Sequence, residues 1–479
     1  MPAVAPHLKL DNPIASQLVT LDGPTIQHRQ AELFNANDPR NVSSVKVTTD
    51  EGPTYNAGVR NFHVTLCRDD QPCTFEEHSI EFRPNQDVLD LLLVMEVNGK
   101  THFGLTESFR PVLATRSDKE NHETKDGMVL SLAGGYLNSG VGLDSINRTA
   151  ARLVSNKLGL TEHCGEILSL GGPSFPNPRA STELARPVAM YLDPEIGTES
   201  KVCYGNGLQA TQITHWLTLE QILDKFTSGE IKDLRAIDAV LRHIRINTET
   251  NSLPSMQDVI PKPDETLHLT LATERRILTA EDVRRLLADP AKLARNISQI
   301  KLEETSSNQS DYLLAQRALT QISRLGGSQE EIKIDVISHP TKPDSFDVTS
   351  YFVHKGQPYL VIRDADRPAI AARELAEHPI YSPYPATHFE AIGGTIERGL
   401  DLNQQKAIAL KYVENNFGIS PNSDLKKIGV GYPSPGFNAE LETHFMLAID
   451  PNKTALTADS SVHFISLKDA FELIDEGLI

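Results

Sequence analysis

Apolar positions along this 479-residue chain follow two rhythms. Alternation and short apolar runs predict strands at VSSVKVTT (Val42–Thr49), at NFHVTLC (Asn61–Cys67) and at IKIDVIS (Ile332–Ser338). The run Leu89–Met95, broken only by Asp90, reads as a buried strand. A helical rhythm covers Asp233–Ile244, where Leu234, Ile237, Val240, Leu241 and Ile244 share one face. TAEDVRRLLAD (Thr279–Asp289) is a second helix, with Thr279 and Asp282 as its capping start and Pro290 as its stop. Tyr312–Leu325 reads as a further amphipathic helix ending at Gly326-Gly327. Two more helices, Asp144–Leu158 and Leu402–Phe417, end at Gly159 and Gly418.

The pattern occurs twice. GGYLNSGVGLDSINRTAARLVSNKLGL (Gly134–Leu160) and GGTIERGLDLNQQKAIALKYVENNFGI (Gly393–Ile419) align without a gap. FRPVLATR (Phe109–Arg116) answers DRPAIAAR (Asp366–Arg373), and TELARPVAMYLDP (Thr182–Pro194) answers AELETHFMLAIDP (Ala439–Pro451). WLTLEQILDKFTSGEI (Trp216–Ile231) answers FISLKDAFELIDEGLI (Phe464–Ile479). Four blocks in one order imply a tandem duplication of an α/β unit. The division expected is a mixed leader at 1–85, a first unit at 86–245, a linker and helical insert at 246–329 and a second unit at 330–479. The first copy continues past its last block with KDLRAIDAVLRHI, which the second lacks, and the helical insert is a candidate to cover the face left open.

Composition narrows the partners. A formal net charge of −18 argues against nucleic acid and anionic membrane surfaces. No apolar run approaches the ~20 residues of a membrane span, and the opening MPAVAPHLKLDNP lacks the regions of a signal peptide. Four cysteines without a CxxC pair point to a reducing cytoplasm.

The repeated blocks resemble the Nudix family, in its ADP-ribose pyrophosphatase branch. The family box reads G-x5-E-x7-R-E-U-x-E-E-x-G-U, with U a bulky aliphatic residue. FRP before the first box, SPGFNAE (Ser434–Glu440) after the second and the closing WLTLEQ strand and helix are similar to that branch's flanking motifs. The resemblance implies an α/β (α+β) fold of two mixed-sheet and helix sandwiches. Relatives in the branch commonly work as homodimers that exchange N-terminal strands, so an intramolecular pseudo-dimer of the two units is expected.

Box chemistry depends on carboxylates three and four residues apart, which converge from one helix face on Mg²⁺. Register taken from Gly159 keeps the arginine as Arg152, but the following glutamate is Leu153 and the glutamate pair is Asn156 and Lys157. From Gly418 the same positions are Lys411, Tyr412, Asn415 and Asn416. Neither box offers what a hard dication needs, so no metal and no cofactor is expected there. In the family the loop glutamate, matched by Glu183 and Glu440, helps catalysis or substrate contact; the other reading is a turn cap or a pair with an arginine. Arg110 and Arg367 either meet a phosphate or carboxylate bidentately or form structural ion pairs. Arg152 either bonds loop carbonyls or takes a ligand role. The pairs Gly134-Gly135 and Gly393-Gly394 are expected at a tight turn, with Gly135 and Gly394 the candidates nearest a ligand.

Three functions follow from the resemblance. The first is a non-catalytic binder of a nucleoside-diphosphate, nucleotide-sugar or ADP-ribose-like molecule, or of a protein partner. The second is a divergent hydrolase using Glu183 and Glu440 with Asp144, Asp401 or Glu397. The third is a structural assembly subunit.

Overall fold

The computed structural model describes residues 32–40, 42–50, 58–68, 71–82, 87–114, 128–137, 143–160, 164–177, 181, 183–204, 211–247, 267–288, 299–304, 313–339, 341–367, 387–433, 440–454 and 461–479. Most of the expected linker at 246–266, Pro178 and the first six residues of SPGFNAE lie outside them.

Two mixed sheets dominate, and they share one plan. In the first, the central strand Asp87–Val97 pairs antiparallel with Lys100–Phe109 and parallel with Leu184–Leu192. Thr211–Leu217 lies beyond Lys100–Phe109, and Cys164–Ser169 lies beyond Leu184–Leu192. In the second, Asp344–His354 pairs antiparallel with Gln357–Asp366 and parallel with Glu442–Ala448. Val462–Ser466 and Lys426–Gly431 complete the same order. Register agrees as well as order: Asp90 faces Gly134 as Asp347 faces Gly393. The edges differ, since Lys201–Tyr204 and then Glu32–Leu33 extend one side of the first sheet, and the short strand Ile277–Leu278 the corresponding side of the second.

Strand alternation divides each sheet into two faces. Leu89, Leu91, Leu93 and Met95 meet the first box helix through Ala150, Leu153, Val154 and Leu158. Leu92 and Val94 point the other way, into a cluster with Ile222, Ala236, Ile237 and Val240 of the helices Leu219–Ser228 and Leu234–Asn247. In the second sheet, Phe346 and Val348 meet Ala409 and Val413 of the second box helix. The opposite face packs Ile362, Phe389 and Ile465 against Ala470 and Leu473 of the helix Leu467–Glu476.

Both box helices occur where periodicity placed them. The first runs as α-helix over Leu143–Leu153 and widens to a π-helical turn over Val154–Leu158 before the left-handed Gly159. The second runs Leu402–Phe417 from an Asp401 N-cap to the left-handed Gly418. A side chain at either glycine would have to adopt φ near +65°, which L residues resist.

The insert departs from its expected form. The helix Ala280–Ala288 forms, and Ala280 and Val283 pack in the cluster of the helix Leu467–Glu476. Arg284 reinforces that contact through Glu472 and Glu476. This insert helix lies by the edge strand Ile277–Leu278 and the helix Leu467–Glu476. In the first unit Leu234–Asn247 lies over Asp87–Val97 and Leu184–Leu192, so the insert does not take the place of the helix that the second copy lacks. Tyr312–Leu325 is not a helix: Leu314–Arg324 is a strand, paired along one edge with Gln329–Ser338 and along the other with Val42–Asp50. Its composition suits either state, and ladder pairing on both edges decides the outcome.

These strands form crossed three-stranded sheets. The hairpin Gly58–Arg68 and Gln71–Phe82 leads into the first unit, yet its third strand is Gln299–Glu304 from the insert. The hairpin Leu314–Arg324 and Gln329–Ser338 leads into the second unit, and its third strand is Val42–Asp50 from the leader. Each hairpin is thus completed by a strand that precedes the other.

The units also touch directly, in matching pairs. Phe226 lies on Gly429 and Leu234 on Gly431, where an added Cβ would come within 2.4 Å of a side-chain atom. Reciprocally, Asp475, Glu476 and Gly477 crowd Gly171, Gly172 and Pro173. Buried Arg242 ties both sides, donating to the carbonyls of Gly172 and Ile474 at 3.0 Å and to Asp238 at 2.9 Å. Arg245 pairs with Asp475 beside it.

Candidate functional site

The glycine pairs do not make a turn. Gly134 and Gly135 lie within the strand Ala133–Tyr136, Gly393 and Gly394 within Ile392–Ile396, and none of the four takes a positive φ. What requires glycine is close packing, by the box helix at Gly135 and by Phe346 of the neighbouring strand at Gly394. A Cβ on Gly135 would stand 2.9 Å from Leu153 Cδ2; one on Gly394 would stand 3.0 Å from Phe346 Cζ and 3.5 Å from Tyr412 Cζ. Leu153 and Tyr412 hold the position that follows the box arginine. In both copies this position is therefore packing: Leu153 is buried in the core, and Tyr412 stacks edge-on against Phe346 with ring centroids 5.6 Å apart.

The other box positions carry no carboxylate either. Asn415 and Asn416 are exposed, and Asn416 donates back to the Tyr412 carbonyl at 3.0 Å. Arg152 reaches the carbonyl of Tyr136 at 3.5 Å, on the strand that carries the glycine pair. Asp401 caps its helix by accepting from the backbone N–H groups of Asn403 and Gln404.

Arg110 and Glu183 come into one buried charged cluster, on the sheet face opposite the box helix. Arg235, from the helix Leu234–Asn247, lies 3.1 Å from Glu183, 3.4 Å from Asp90 and 3.7 Å from Asp233. Burial pushes the Asp90 carboxyl up to about 7, against the pull of Arg235. Burial also works against charge on Arg235, but the carboxylates of Asp90, Asp233 and Glu183 outweigh it and hold the guanidinium protonated. Arg110 donates to Ser131 Oγ at 3.1 Å, and burial lowers its affinity for a proton. Sequence reading missed Asp90 and Arg235. The one signal was an acid interrupting the apolar run Leu89–Met95, since a charge in a buried strand needs a partner.

The second unit arranges the corresponding residues differently. Arg367 and Arg363 converge on Glu390, with Arg367 Nε donating at 2.8 Å and Arg363 Nε at 3.0 Å. Glu390 stands where Ser131 stands in the first unit, so Arg110 and Arg367 address the same strand position. Beside it, burial pushes the His388 imidazole down to about 4, only partly opposed by Glu390. Phe175 of the first unit meets the His388 ring edge-on, with centroids 6.0 Å apart. Tyr432 of the second unit in turn packs on Val129, the first unit's counterpart of His388. Glu440 accepts from Asn177 of the first unit at 3.2 Å, so it bridges the two units. Trp216 is core, with its ring against Gly104.

Among the described residues, one group of metal-competent side chains converges: Asp347, Glu442 and His444, whose donor atoms all lie within 4.8 Å of one another. It belongs to neither box helix. Sequence reading assigned no metal, and the missing signal was register, because Asp347 and His444 are 97 residues apart in a chain where strand pairing alone makes them neighbours.

No protein-family model matches the chain, and no curated protein matches it. Among solved structures, the chain is similar to the crystal structure of an ADP compounds hydrolase, with 14% identity and a TM-score of 0.26; the match covers 46% of this chain and 96% of that one. Among the described residues, no helix is long and apolar enough to cross a membrane.

Proposed function

We propose that this chain is a tandem Nudix-type protein that acts by binding rather than by Mg²⁺-dependent hydrolysis. One observation carries the reading: the position after the box arginine is an apolar side chain, Leu153 or Tyr412, seated on a glycine of the adjoining strand. A carboxylate there would serve a metal; a buried leucine serves the core. With amides and a lysine at the remaining positions, the box helices lack the anionic charge that holds Mg²⁺.

The two units act as one body in this reading, an intramolecular pseudo-dimer arising from duplication. Matching sheet registers, the exchanged third strands and the reciprocal contacts at Gly171–Pro173 and Gly429–Gly431 support it. The ligand class proposed is a nucleoside diphosphate of the ADP-ribose kind, with a protein partner as the second candidate. Calorimetry with ADP-ribose, with and without Mg²⁺, tests it. Saturable binding that Mg²⁺ does not strengthen is the expected result, and hydrolysis during the titration would overturn it. A second reading, a divergent hydrolase with acids outside the boxes, is favoured by the cluster Asp347, Glu442 and His444. In that case turnover would depend on those three residues.

A further inference from the structure

We propose that Asp347, Glu442 and His444 form a binding site for a divalent first-row transition ion at the seam between the two units.

Strand geometry builds the site. Asp347 and His444 are register partners on adjacent parallel strands, and Glu442 precedes His444 by two residues, so all three project from one face. That face is the one turned away from the box helix, because Phe346, Val348, Phe445 and Leu447 fill the other. The site is therefore separate from the Nudix box. His444 Nε2 is buried, makes no hydrogen bond, and lies 3.9 Å from Glu442 Oε2. A buried ring nitrogen without a partner is costly, and a metal ion supplies what is missing.

The first unit gives an internal comparison. At the matching positions stand Asp90, Ala185 and Pro187, and the cation beside the aspartate is the guanidinium of Arg235. The second unit replaces alanine and proline with a carboxylate and an imidazole, so a nitrogen donor joins the acids there. On the neighbouring strand, His444 pairs with Gly429, against which the first unit's Phe226 ring is pressed. The apolar ring lowers the local dielectric on that side, which strengthens binding of a dication to two carboxylates.

Donor chemistry sets the ion. One imidazole with two carboxylates suits Zn²⁺, Co²⁺ or Mn²⁺, whereas Mg²⁺ prefers oxygen ligands and retains its waters. Three protein ligands leave positions open for water or an anionic ligand.

The test uses the full chain freed of metal with a chelator and then dialysed. Zn²⁺ titration followed by calorimetry should show one saturable site per chain, and Co²⁺ should give the visible absorption of an ion with a nitrogen ligand. His444→Gln and Asp347→Asn should each weaken Zn²⁺ at least tenfold, while His102→Gln, at an exposed histidine bonded to the Lys100 carbonyl, should leave it unchanged. Melting in chelator checks that each variant folds, and Glu442→Gln stands in for one that does not. Absence of saturable Zn²⁺ binding, wild-type affinity in His444→Gln, or Mg²⁺ binding as tight as Zn²⁺ would each overturn the proposal.

Discussion

At the scale of single residues, buried charge is where this chain is most exposed to change. Glu390 holds two arginines, Arg363 and Arg367, at a site where all three side chains are less than 15% exposed. Removing it takes a shared carboxylate from two largely buried guanidiniums. Glu390→Ala should cost about 3–5 kcal/mol of stability, read from urea unfolding. An effect below ~1 kcal/mol would mean that water replaces the carboxylate. Protonation gives two further expectations, of opposite sign. His388 titrates near 4 in the fold against an ordinary 6.5, so the unfolded chain takes up its proton first. Stability from this group is full above 6.5 and is lost as pH falls toward 4, with a slope of ~1.4 kcal/mol per pH unit. His388→Phe should remove that slope. Asp90, raised from 3.8 to about 7, keeps its proton in the fold, so stability falls as pH climbs through that window and levels off above it. Asp90→Asn should flatten the fall, and thermal melts across pH 4–8 would register both.

At the scale of elements, the box helices were legible and the partners of their glycines were not. Apolar periodicity and the terminal glycines are local signals, so Leu402–Phe417 was found to the residue. Gly135 and Gly394 suggested a turn because glycine permits one; only the packed structure shows Leu153 and Tyr412 lying over them. The misread Leu314–Arg324 has the same origin, since its two ladder partners come from segments that sequence inspection cannot pair. The candidate residues divide likewise. Arg110, Arg367 and Glu183 could be chosen by matching the repeats, whereas Asp90 and Arg235 join them only through tertiary contact. Gly135→Ala should cost about 1–3 kcal/mol by forcing Leu153 aside, and Leu153→Ala in the same chain should make the added methyl nearly neutral. Additive losses in that double-mutant cycle would show that the helix does not rest on the glycine.

At the scale of the whole molecule, the contacts joining the units are too intimate for two beads on a string. Arg242 is 4% exposed and bonds to carbonyls of both units. Arg242→Ala leaves those carbonyls dry and should lower stability by about 3 kcal/mol while keeping a single unfolding transition. Two separate transitions in the wild type would contradict a shared body. Exchange of the third strands has the same consequence, because neither hairpin sheet is complete without the other half of the chain. The most direct measurement of the central claim is chromatographic assay of ADP-ribose incubated with the wild-type chain and Mg²⁺. No AMP release above the buffer blank is expected, with EDTA making no difference. Robust AMP release abolished by EDTA would contradict it.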